Sequence, residues 1–432
     1  MIPSDLPFAE IWLHDFEFVG KDGENPDVIC LAAVELRSGR TIQLWRDEMT
    51  SRPPYSTGDD ALFVSFVANA ECACHLALGW PLPRHILDLS PAFRSIVNGR
   101  IAPEGKGLLG ALRYYGHSTL RAKHKNAMHA RAMKGWPFTL EERRAMQAYC
   151  LDDTRDLQML LPHILADPDF NLAVALYHGE FAAVSAVMEH NGVPMNMEIY
   201  PQLADKQTWR ELRDDMVPAV DAEFGVYVRG ADGEWSFNEA MFESYLDRNS
   251  IVGWPRLDSG KLDLKEKTFQ AMCKGFPELE PLRQLRHTRN KMRRVKLAVG
   301  ADGRNRTVLW PFQAKTSRTQ PKASRWIFSP AVWLRNLIKP GPGMAIAYID
   351  YSAMEFMISA ALSDGHLGPR NRMAEMYASG DPYLSFAKAV GAVPKDATKR
   401  SHSAMRDKYK NMLLAYDDRH AGQSAGRVLV RG

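Results

Sequence analysis

The sequence feature that most constrains this fold is a pair of carboxylates in the first strand-like run, residues 11–20 (IWLHDFEFVG). Asp15 and Glu17 stand at positions i and i+2, and such side chains point to the same face of a strand. Both residue types form strands poorly and are costly to bury. Two adjacent negative charges need a strong positive partner, and a pair of divalent metal ions is the usual one in phosphodiester hydrolysis. The run therefore predicts a sheet that carries a metal centre.

Further acidic residues follow in an order that suits such a centre. Tyr149 and Asp153 lie four residues apart in YCLDD and would share one face of a helix. Between them and the first pair, Glu71 follows a strand-like run and Asp88 closes the run HILD. Each residue also has an ordinary explanation, namely a solvent-facing edge strand for the first pair and a solvated helix face for Asp153. Taken singly, the residues leave both explanations open.

Hydrophobic periodicity predicts a sheet followed by helices in the first part of the chain. Helical patterns cover residues 107–165, and the last helix begins at a capping box from Thr139 to Glu142. The order suits an α/β or α+β domain. The strand-like runs that precede the helices are 8–46, 62–69 and 85–90.

The rest of the chain begins with a predicted linker, ADPDF at 166–170. Residues 171–300 look mostly helical and rich in charge, and residues 301–345 are irregular because prolines interrupt them. The run MAIAYID at 344–350 predicts a strand, and helical patterns follow it.

Composition limits the class of protein. A chain of 432 residues is long enough for two or three domains, and 45% hydrophobic with 25% charged residues is ordinary for a soluble globular protein. The net charge is only +4, so nucleic-acid binding must rest on local clusters. Five scattered cysteines argue against a disulfide framework or a zinc site. No apolar run approaches the roughly 20 residues of a membrane span, so we expect a soluble cytoplasmic protein.

The order Asp-x-Glu on the first strand, a mid-domain acid and Tyr-x-x-x-Asp on a late helix resembles the DnaQ-like (ribonuclease H-like) 3′–5′ exonucleases. More narrowly, it resembles the proofreading domain of family A DNA polymerases. The resemblance implies that Asp15, Glu17 and Asp153 bind metal ions. It also implies that Tyr149 orients the attacking water.

The second motif of this chain departs from that family. Its members usually have an aspartate after Asn-x-x-aromatic, whereas Asn69-Ala-Glu71 offers a glutamate. Glu71 is therefore one candidate for the remaining metal ligand, and Asp88 is the other. Basic residues in 120–134 (LRAKHKNAMHARAMK) are expected to line the exonuclease cleft.

A second resemblance lies in residues 339–365 (KPGPGMAIAYIDYSAMEFMISAALSDG). A strand ending at Asp350, followed by Tyr-Ser-x-x-Glu355, resembles motif A of the palm of family A DNA polymerases. The resemblance implies that Asp350 binds the catalytic magnesium ions, which its hard oxygens suit. It implies that Glu355 closes the pocket against a ribose 2′-hydroxyl. The ordinary explanation is a capping box from Ser352 to Glu355.

The segment 406–415 (RDKYKNMLLA) places Arg406 and Lys410 on one helical face. A solvated basic face is the ordinary explanation, but the segment also resembles the start of motif B. There such a pair binds the triphosphate of the incoming nucleotide through charge-assisted hydrogen bonds. Beyond about Leu414 the chain departs from the family pattern of Tyr-Gly, and no motif C follows. A C-terminal truncation within the fingers is therefore expected.

A basic stripe precedes motif A in residues 282–297, where four cations follow one another at spacings of three, four and three. No acidic residue interrupts the stripe, so contact with DNA phosphates is at least as well supported as a solvated face. Its position matches the thumb of family A polymerases. The expected DNA-binding residues are Arg286, Arg289, Arg293 and Lys296, together with Arg318 upstream of motif A.

These observations predict an α/β (α+β) multidomain protein. A DnaQ-like exonuclease domain is expected over 1–168, and a thumb-like helical region over 170–310. A partial palm with the start of the fingers is expected over 311–432, with motif A present, motif B incomplete and motif C absent.

The resemblance implies an enzyme, a family A DNA polymerase of the phage or plasmid type with 3′–5′ exonuclease activity. We expect two-metal hydrolysis with Mg²⁺ or Mn²⁺ and no DNA synthesis by this chain. Expected partners are primer-template DNA, single-stranded 3′ ends and, if synthesis occurs, deoxynucleotides. We expect a monomer without membrane contact, in the cytoplasm of a bacterial or phage-infected cell. The alternatives are a non-catalytic DNA-binding remnant and a stand-alone 3′–5′ exonuclease.

Overall fold

The computed structural model describes residues 3–117, 122–292, 297–314, 316–328, 332–367 and 372–424. Its strands are β1 (Glu10–Val19), β2 (Asp27–Glu35), β3 (Thr41–Trp45), β4 (Ala61–Ser65), β5 (His85–Asp88), β6 (Val193–Pro194), β7 (Tyr227–Arg229), β8 (Trp235–Phe237) and β9 (Arg304–Asn305). Its α-helices are α1 (Ala68–Ala77), α2 (Leu89–Ile96), α3 (Leu108–Tyr114), α4 (Ala122–Lys134), α5 (Leu140–Ala166), α6 (Leu172–Asn191), α7 (Tyr200–Ala204), α8 (Lys206–Phe224), α9 (Glu239–Arg248), α10 (Glu266–Met272), α11 (Glu280–Met292), α12 (Met354–Leu367), α13 (Arg372–Ala378), α14 (Pro382–Ala389) and α15 (Ser403–Ser424). Short 3-10 helices lie at Pro3–Asp5, Arg46–Glu48, Pro277–Leu279 and Val332–Leu337. None of the helices in these ranges is long and apolar enough to cross a membrane.

A five-stranded mixed sheet forms the centre of the N-terminal part, with the strand order β3-β2-β1-β4-β5. β1 is a central strand, antiparallel to β2 and parallel to β4. A solvent-facing edge strand is therefore the wrong explanation for Asp15 and Glu17. β4 pairs with β1 only from Glu10 to Leu13. Beside the two carboxylates, this edge of β1 has no strand partner among the described residues.

Alternation along β1 distributes its side chains between two hydrophobic cores. Ile11 and Leu13 pack in one core with residues of α2, α3 and α5. Phe16 packs in another core with residues of α1 and α6. Because Asp15 and Glu17 have the same parity as Ile11 and Leu13, they project toward the face that α5 covers.

Helix α6 falls within the predicted thumb-like region, 170–310, but it packs on the N-terminal sheet. Ala182 and Ala186 are fully buried in the core that contains α1. Gly179 lies so close to β5 that an added Cβ would come within 2.0 Å of the carbonyl oxygen of Ile86. The packing of the N-terminal part therefore continues past the linker at 166–170, and a domain boundary near residue 170 stays a prediction.

The middle of the chain is mostly helical, as its periodicity predicts. Helices α8 to α11 share one core with the short β7–β8 hairpin, and Phe224, Phe242 and Phe269 are almost fully buried there. The hairpin is an addition that the helical pattern does not indicate. It places aromatic side chains beside α11, which carries two arginines of the basic stripe.

The strand predicted for MAIAYID is wrong. The residues from Met344 to Asp350 pair with no strand of the described chain, and Tyr348 and Ile349 are 85% and 87% exposed. β-propensity measures how well a residue packs on a pleated, half-buried surface, and the described residues offer no such surface here. Asp350 thus lies in an exposed segment before α12, whose start at Met354 puts Glu355 early in that helix, as predicted.

Candidate metal centre

Three carboxylates meet where β1 faces helix α5. One oxygen atom each of Asp15, Glu17 and Asp153 lies within 4.8 Å of the others. Within the described ranges, no other group of three or more histidine, cysteine or acidic side chains is arranged to hold a metal ion. Asp153 is 7% exposed, and the other two carboxylates are half-buried.

Helix α5 brings the late motif to the sheet. It begins at the predicted capping box, where the backbone N–H of Glu142 donates to Thr139 Oγ1 over 3.2 Å. Farther along the same helix, Cys150 Sγ donates to the carbonyl oxygen of Asp15 over 3.1 Å. This contact fixes α5 against β1, and the four-residue spacing puts Tyr149 and Asp153 beside the first-strand pair.

Burial and repulsion between neighbouring carboxylates make Asp15 and Glu17 hard to ionise. Burial, and after it the negative charge of Asp153, raise the pKa of Glu17 to about 8. The same two causes raise the pKa of Asp15 well above its usual range. Burial and the neighbouring carboxylates also raise the pKa of Tyr149, so its hydroxyl stays protonated and donates to Asp153. The cluster therefore favours the binding of a cation.

Lys125 of helix α4 supplies a positive charge to the cluster. Its ammonium group donates to Asp153 Oδ2 over 2.6 Å. Burial opposes this charge, but Asp153 and Asp15 outweigh that effect and raise the pKa of Lys125. The sequence predicts a basic segment along the cleft but does not single out Lys125, because its contact with Asp153 joins two helices.

The cluster fits a divalent metal ion. Asp15 Oδ2 is buried and accepts no hydrogen bond from the described residues. A buried polar atom without a partner is rare in a folded protein, and a bound ion is one way to satisfy it. Carboxylate oxygens are also the ligands that Mg²⁺ and Mn²⁺ prefer.

Glu71 lies beside the cluster but outside it. Its side chain is 5% exposed, its carboxylate accepts a hydrogen bond from the backbone of Phe16, and its Oε2 atom has no partner among the residues that the structure describes. Burial and the charge of Glu17 raise its pKa well above the usual range. Glu71 borders the centre without joining the three oxygen atoms that meet there.

Asp88 has a structural role, and the interpretation of this residue as a metal ligand is wrong. Its two carboxylate oxygens accept hydrogen bonds of 2.9 Å from the backbone N–H groups of Val67, Ala68 and Ser90. Asp88 thereby caps α2 and fixes the loop before α1. Its oxygens are already satisfied by the backbone.

The polymerase-like residues are less well assembled. Asp350 is exposed and belongs to no metal-capable group of three among the described residues. Glu355 forms an ion pair with Arg318 over 3.2 Å. Glu355, which is expected to exclude a ribose 2′-hydroxyl, thus contacts Arg318, which is expected to bind DNA. Their assigned roles stay predictions.

Arg406 and Lys410 lie on α15, but Arg406 already has acidic partners. Its guanidinium contacts Asp381 over 2.7 Å and Asp407 over 3.0 Å, and it lies 5.4 Å from the centre of the Tyr383 ring. A triphosphate would have to replace these partners. The nucleotide-binding role of both residues stays a prediction.

Two arginines of the basic stripe on α11 pack against the β7–β8 hairpin, and their expected role in DNA binding stays a prediction. Arg289 is 6% exposed, lies 4.8 Å from the centre of the Tyr227 ring and donates to the carbonyl oxygen of Trp235. Arg286 stacks 4.1 Å from the centre of the Phe237 ring. The β7–β8 hairpin covers both, so neither presents an open phosphate-binding face. Arg293 and Lys296 lie outside the described residues.

Comparison with known proteins supports a resemblance to DNA polymerases. No protein-family model matches the chain. The DNA polymerase of Mycobacterium phage L5 is 23% identical over 249 residues, which cover 54% of this chain and 38% of that protein. The match thus spans less than half the length of this relative. The POL domain of Pol1 from M. smegmatis, solved in complex with DNA primer-template and dNTP, matches with a TM-score of 0.57 and 19% identity. That match covers 93% of this chain and 67% of the solved chain.

The match to the solved structure is evidence about the fold, and the match to the phage protein is evidence of sequence similarity. A mixed α/β architecture like that of a polymerase domain is thereby confirmed, while the division into exonuclease, thumb and palm stays a prediction. The predicted resemblance is confirmed as well: in sequence and in fold, this chain is similar to DNA polymerases.

Proposed function

We propose that this protein acts on DNA as a 3′–5′ exonuclease of the kind that accompanies family A DNA polymerases. The observation that carries the proposal is the meeting of three carboxylate oxygens within 4.8 Å, one of them from Asp15, whose Oδ2 atom is buried without a partner among the described residues. Such a cluster on a central strand is costly to the fold unless it binds a cation. Similarity to a phage DNA polymerase makes DNA the substrate class to test first.

Asp15, Glu17 and Asp153 would hold the divalent ion, with Mg²⁺ or Mn²⁺ suited to their oxygens. When bound, such an ion supplies Lewis-acid chemistry and a water of lowered pKa. The protein supplies the positioning. The Tyr149 hydroxyl, which donates its one proton to Asp153 and is kept protonated by burial, can accept a hydrogen bond from the attacking water but cannot take its proton.

DNA synthesis is not part of the proposal. Two-metal phosphoryl transfer needs carboxylates that converge on the ions, and Asp350 is exposed without such a group beside it in the described ranges. Effective transfer also depends on groups held in position, and the run from Met344 to Asp350 joins no sheet there. We expect this chain to bind primer-template DNA without extending it.

The proposal is tested by digestion of 5′-labelled single-stranded DNA with Mg²⁺, with Mn²⁺ and with a chelator. We expect a ladder that shortens from the 3′ end, that needs the metal, and that disappears when Asp15→Ala and Glu17→Ala are combined. Undiminished cleavage by this double variant would refute the assignment.

A non-catalytic DNA-binding remnant is the second candidate. The position of Glu71 outside the cluster favours it, because one expected ligand is then missing. A wild-type protein that binds DNA but releases no nucleotide with either metal would establish the remnant in place of the exonuclease.

A further inference from the structure

Lys125 places its ammonium group against the candidate metal centre, and the proposed function assigns no role to this lysine. Its ammonium group lies 2.6 Å from Asp153 Oδ2 and 5.8 Å from the centre of the Tyr149 ring. About a third of its side chain is exposed, at 31%, whereas Asp153 has only 10% of its side chain exposed. The contact therefore lies at the mouth of the cluster and partly inside it.

Charge balance in the cluster is reached with a single divalent ion. Ionised Asp15, Glu17 and Asp153 carry three negative charges. Lys125 and one divalent ion together carry three positive charges. In the absence of DNA, a second divalent ion would add two positive charges beyond those that these three carboxylates neutralise, and the buried Glu71 is the nearby carboxylate left to offset them.

Glu71 is the nearby carboxylate that a second ion would require, and it does not converge with the other three. Its carboxylate is engaged by the backbone of Phe16 at the open edge of β1. Within the described part of the chain, the cluster thus has no fourth carboxylate ligand and has a lysine beside it.

We propose that Lys125 serves as the second cation of this centre, so that the three carboxylates bind one divalent ion and not the two that the motif resemblance implies. This inference rests on the proposed exonuclease function of the same cluster. An ammonium group has three N–H donors, and one of them is used on Asp153. The others can donate to a phosphate oxygen of the DNA, which is work that a second ion does in a two-metal site.

The first test is the number of Mn²⁺ ions that the metal-free, full-length protein binds. Calorimetric titration in an Asp350→Ala background removes the exposed carboxylate outside the cluster. We expect one ion per chain, lost when Asp15→Ala and Glu17→Ala are added. Electron paramagnetic resonance should show an isolated Mn²⁺ ion. Two ions with a spin-coupled signal would overturn the role of Lys125.

The second test replaces the lysine. Lys125→Met keeps most of the side-chain length and removes the charge, so Asp153 no longer shares its oxygen with an ammonium group. We expect the cluster to bind its one Mn²⁺ ion roughly tenfold more tightly, and no second ion because no fourth carboxylate converges there among the described residues. Lys134→Met is the matched control, because Lys134 is exposed at the end of the same helix, and it should leave the affinity unchanged. One ion with unchanged affinity in Lys125→Met would overturn the proposal. If that variant does not fold, the number of Mn²⁺ ions bound by the wild-type protein decides the question.

These outcomes separate the two proposals. Two Mn²⁺ ions in the wild type, both lost with Asp15 and Glu17, would keep the exonuclease assignment and overturn the inference about Lys125. A protein in which no Mn²⁺ binding depends on Asp15 and Glu17 would refute the exonuclease assignment itself.

Discussion

Replacing Glu17 with glutamine should stabilise the metal-free protein at neutral and alkaline pH while it removes hydrolysis. Burial and the charge of Asp153 raise the pKa of Glu17 to about 8, above the ordinary value of 4.5. The unfolded chain then releases this proton more readily than the folded chain. The stability of the folded state therefore falls as the pH rises from 4.5 through 8, by an amount on the order of 4 kcal/mol.

The net gain in the variant is smaller than this loss. Glutamine removes the charge but leaves a polar amide in a partly buried place, which costs about 1 to 3 kcal/mol if its hydrogen bonds are not replaced. We expect Glu17→Gln to be more stable than the wild type by about 2 kcal/mol at pH 8. At pH 5 most of the advantage should vanish, because folded Glu17 is then protonated.

Hydrogen exchange of β1 peptides, followed by mass spectrometry in a chelator, measures this effect on the N-terminal sheet within the full chain. Rates are compared at pH 5 and pH 8 after correction for intrinsic exchange. Glu141→Gln is the control, since Glu141 is exposed in the first turn of α5 and away from the cluster. A gain that is equal at both pH values, or absent at pH 8, would show that Glu17 is not held among repelling carboxylates.

Three further predictions concern other parts of the molecule. Tyr149→Phe should slow hydrolysis by roughly tenfold or more while calorimetry shows unchanged metal affinity, because the hydroxyl positions water and is no ligand; a loss of affinity equal to that of Asp153→Ala would contradict this role. Arg289→Met should lower the free energy of unfolding by about 3 kcal/mol, because the carbonyl oxygen of Trp235 loses its donor. The same variant should leave the slope of log DNA affinity against log salt unchanged. A slope flattened by about 0.9 would mean that Arg289 does contact a phosphate. Primer extension by an exonuclease-disabled protein should be absent, and extension that disappears in Asp350→Ala would revive the polymerase site.

The meeting of the three carboxylates could be predicted because its geometry is local. The i and i+2 spacing on a strand and the i and i+4 spacing on a helix fix which faces Asp15, Glu17 and Asp153 occupy before any tertiary contact is known. Their order along the chain then narrows the possible folds. The structure adds that the pairing of β4 with β1 ends before Asp15. This edge of β1 therefore has no strand partner at the site among the described residues.

Features that depend on distant partners could not be predicted in the same way. The spacing of Arg286 and Arg289 indicates one face of a helix but does not reveal that the β7–β8 hairpin covers it. The alternation in MAIAYID indicates β-propensity but not whether a neighbouring strand exists. The basic composition of 120–134 indicates a cleft-lining segment but does not single out Lys125, because its contact with Asp153 joins two helices.

The most direct test of the central claim compares two adjacent aspartates of α5. Asp153 lies in the carboxylate cluster, whereas Asp152 forms an ion pair with Arg155 over 3.0 Å. Metal-dependent release of nucleotides from the 3′ end is measured for Asp153→Asn and Asp152→Asn under identical conditions. We predict that Asp153→Asn loses this activity by several orders of magnitude and that Asp152→Asn keeps it. Equal activity in the two variants, whether both retain it or both lose it, would contradict the assignment of the metal centre.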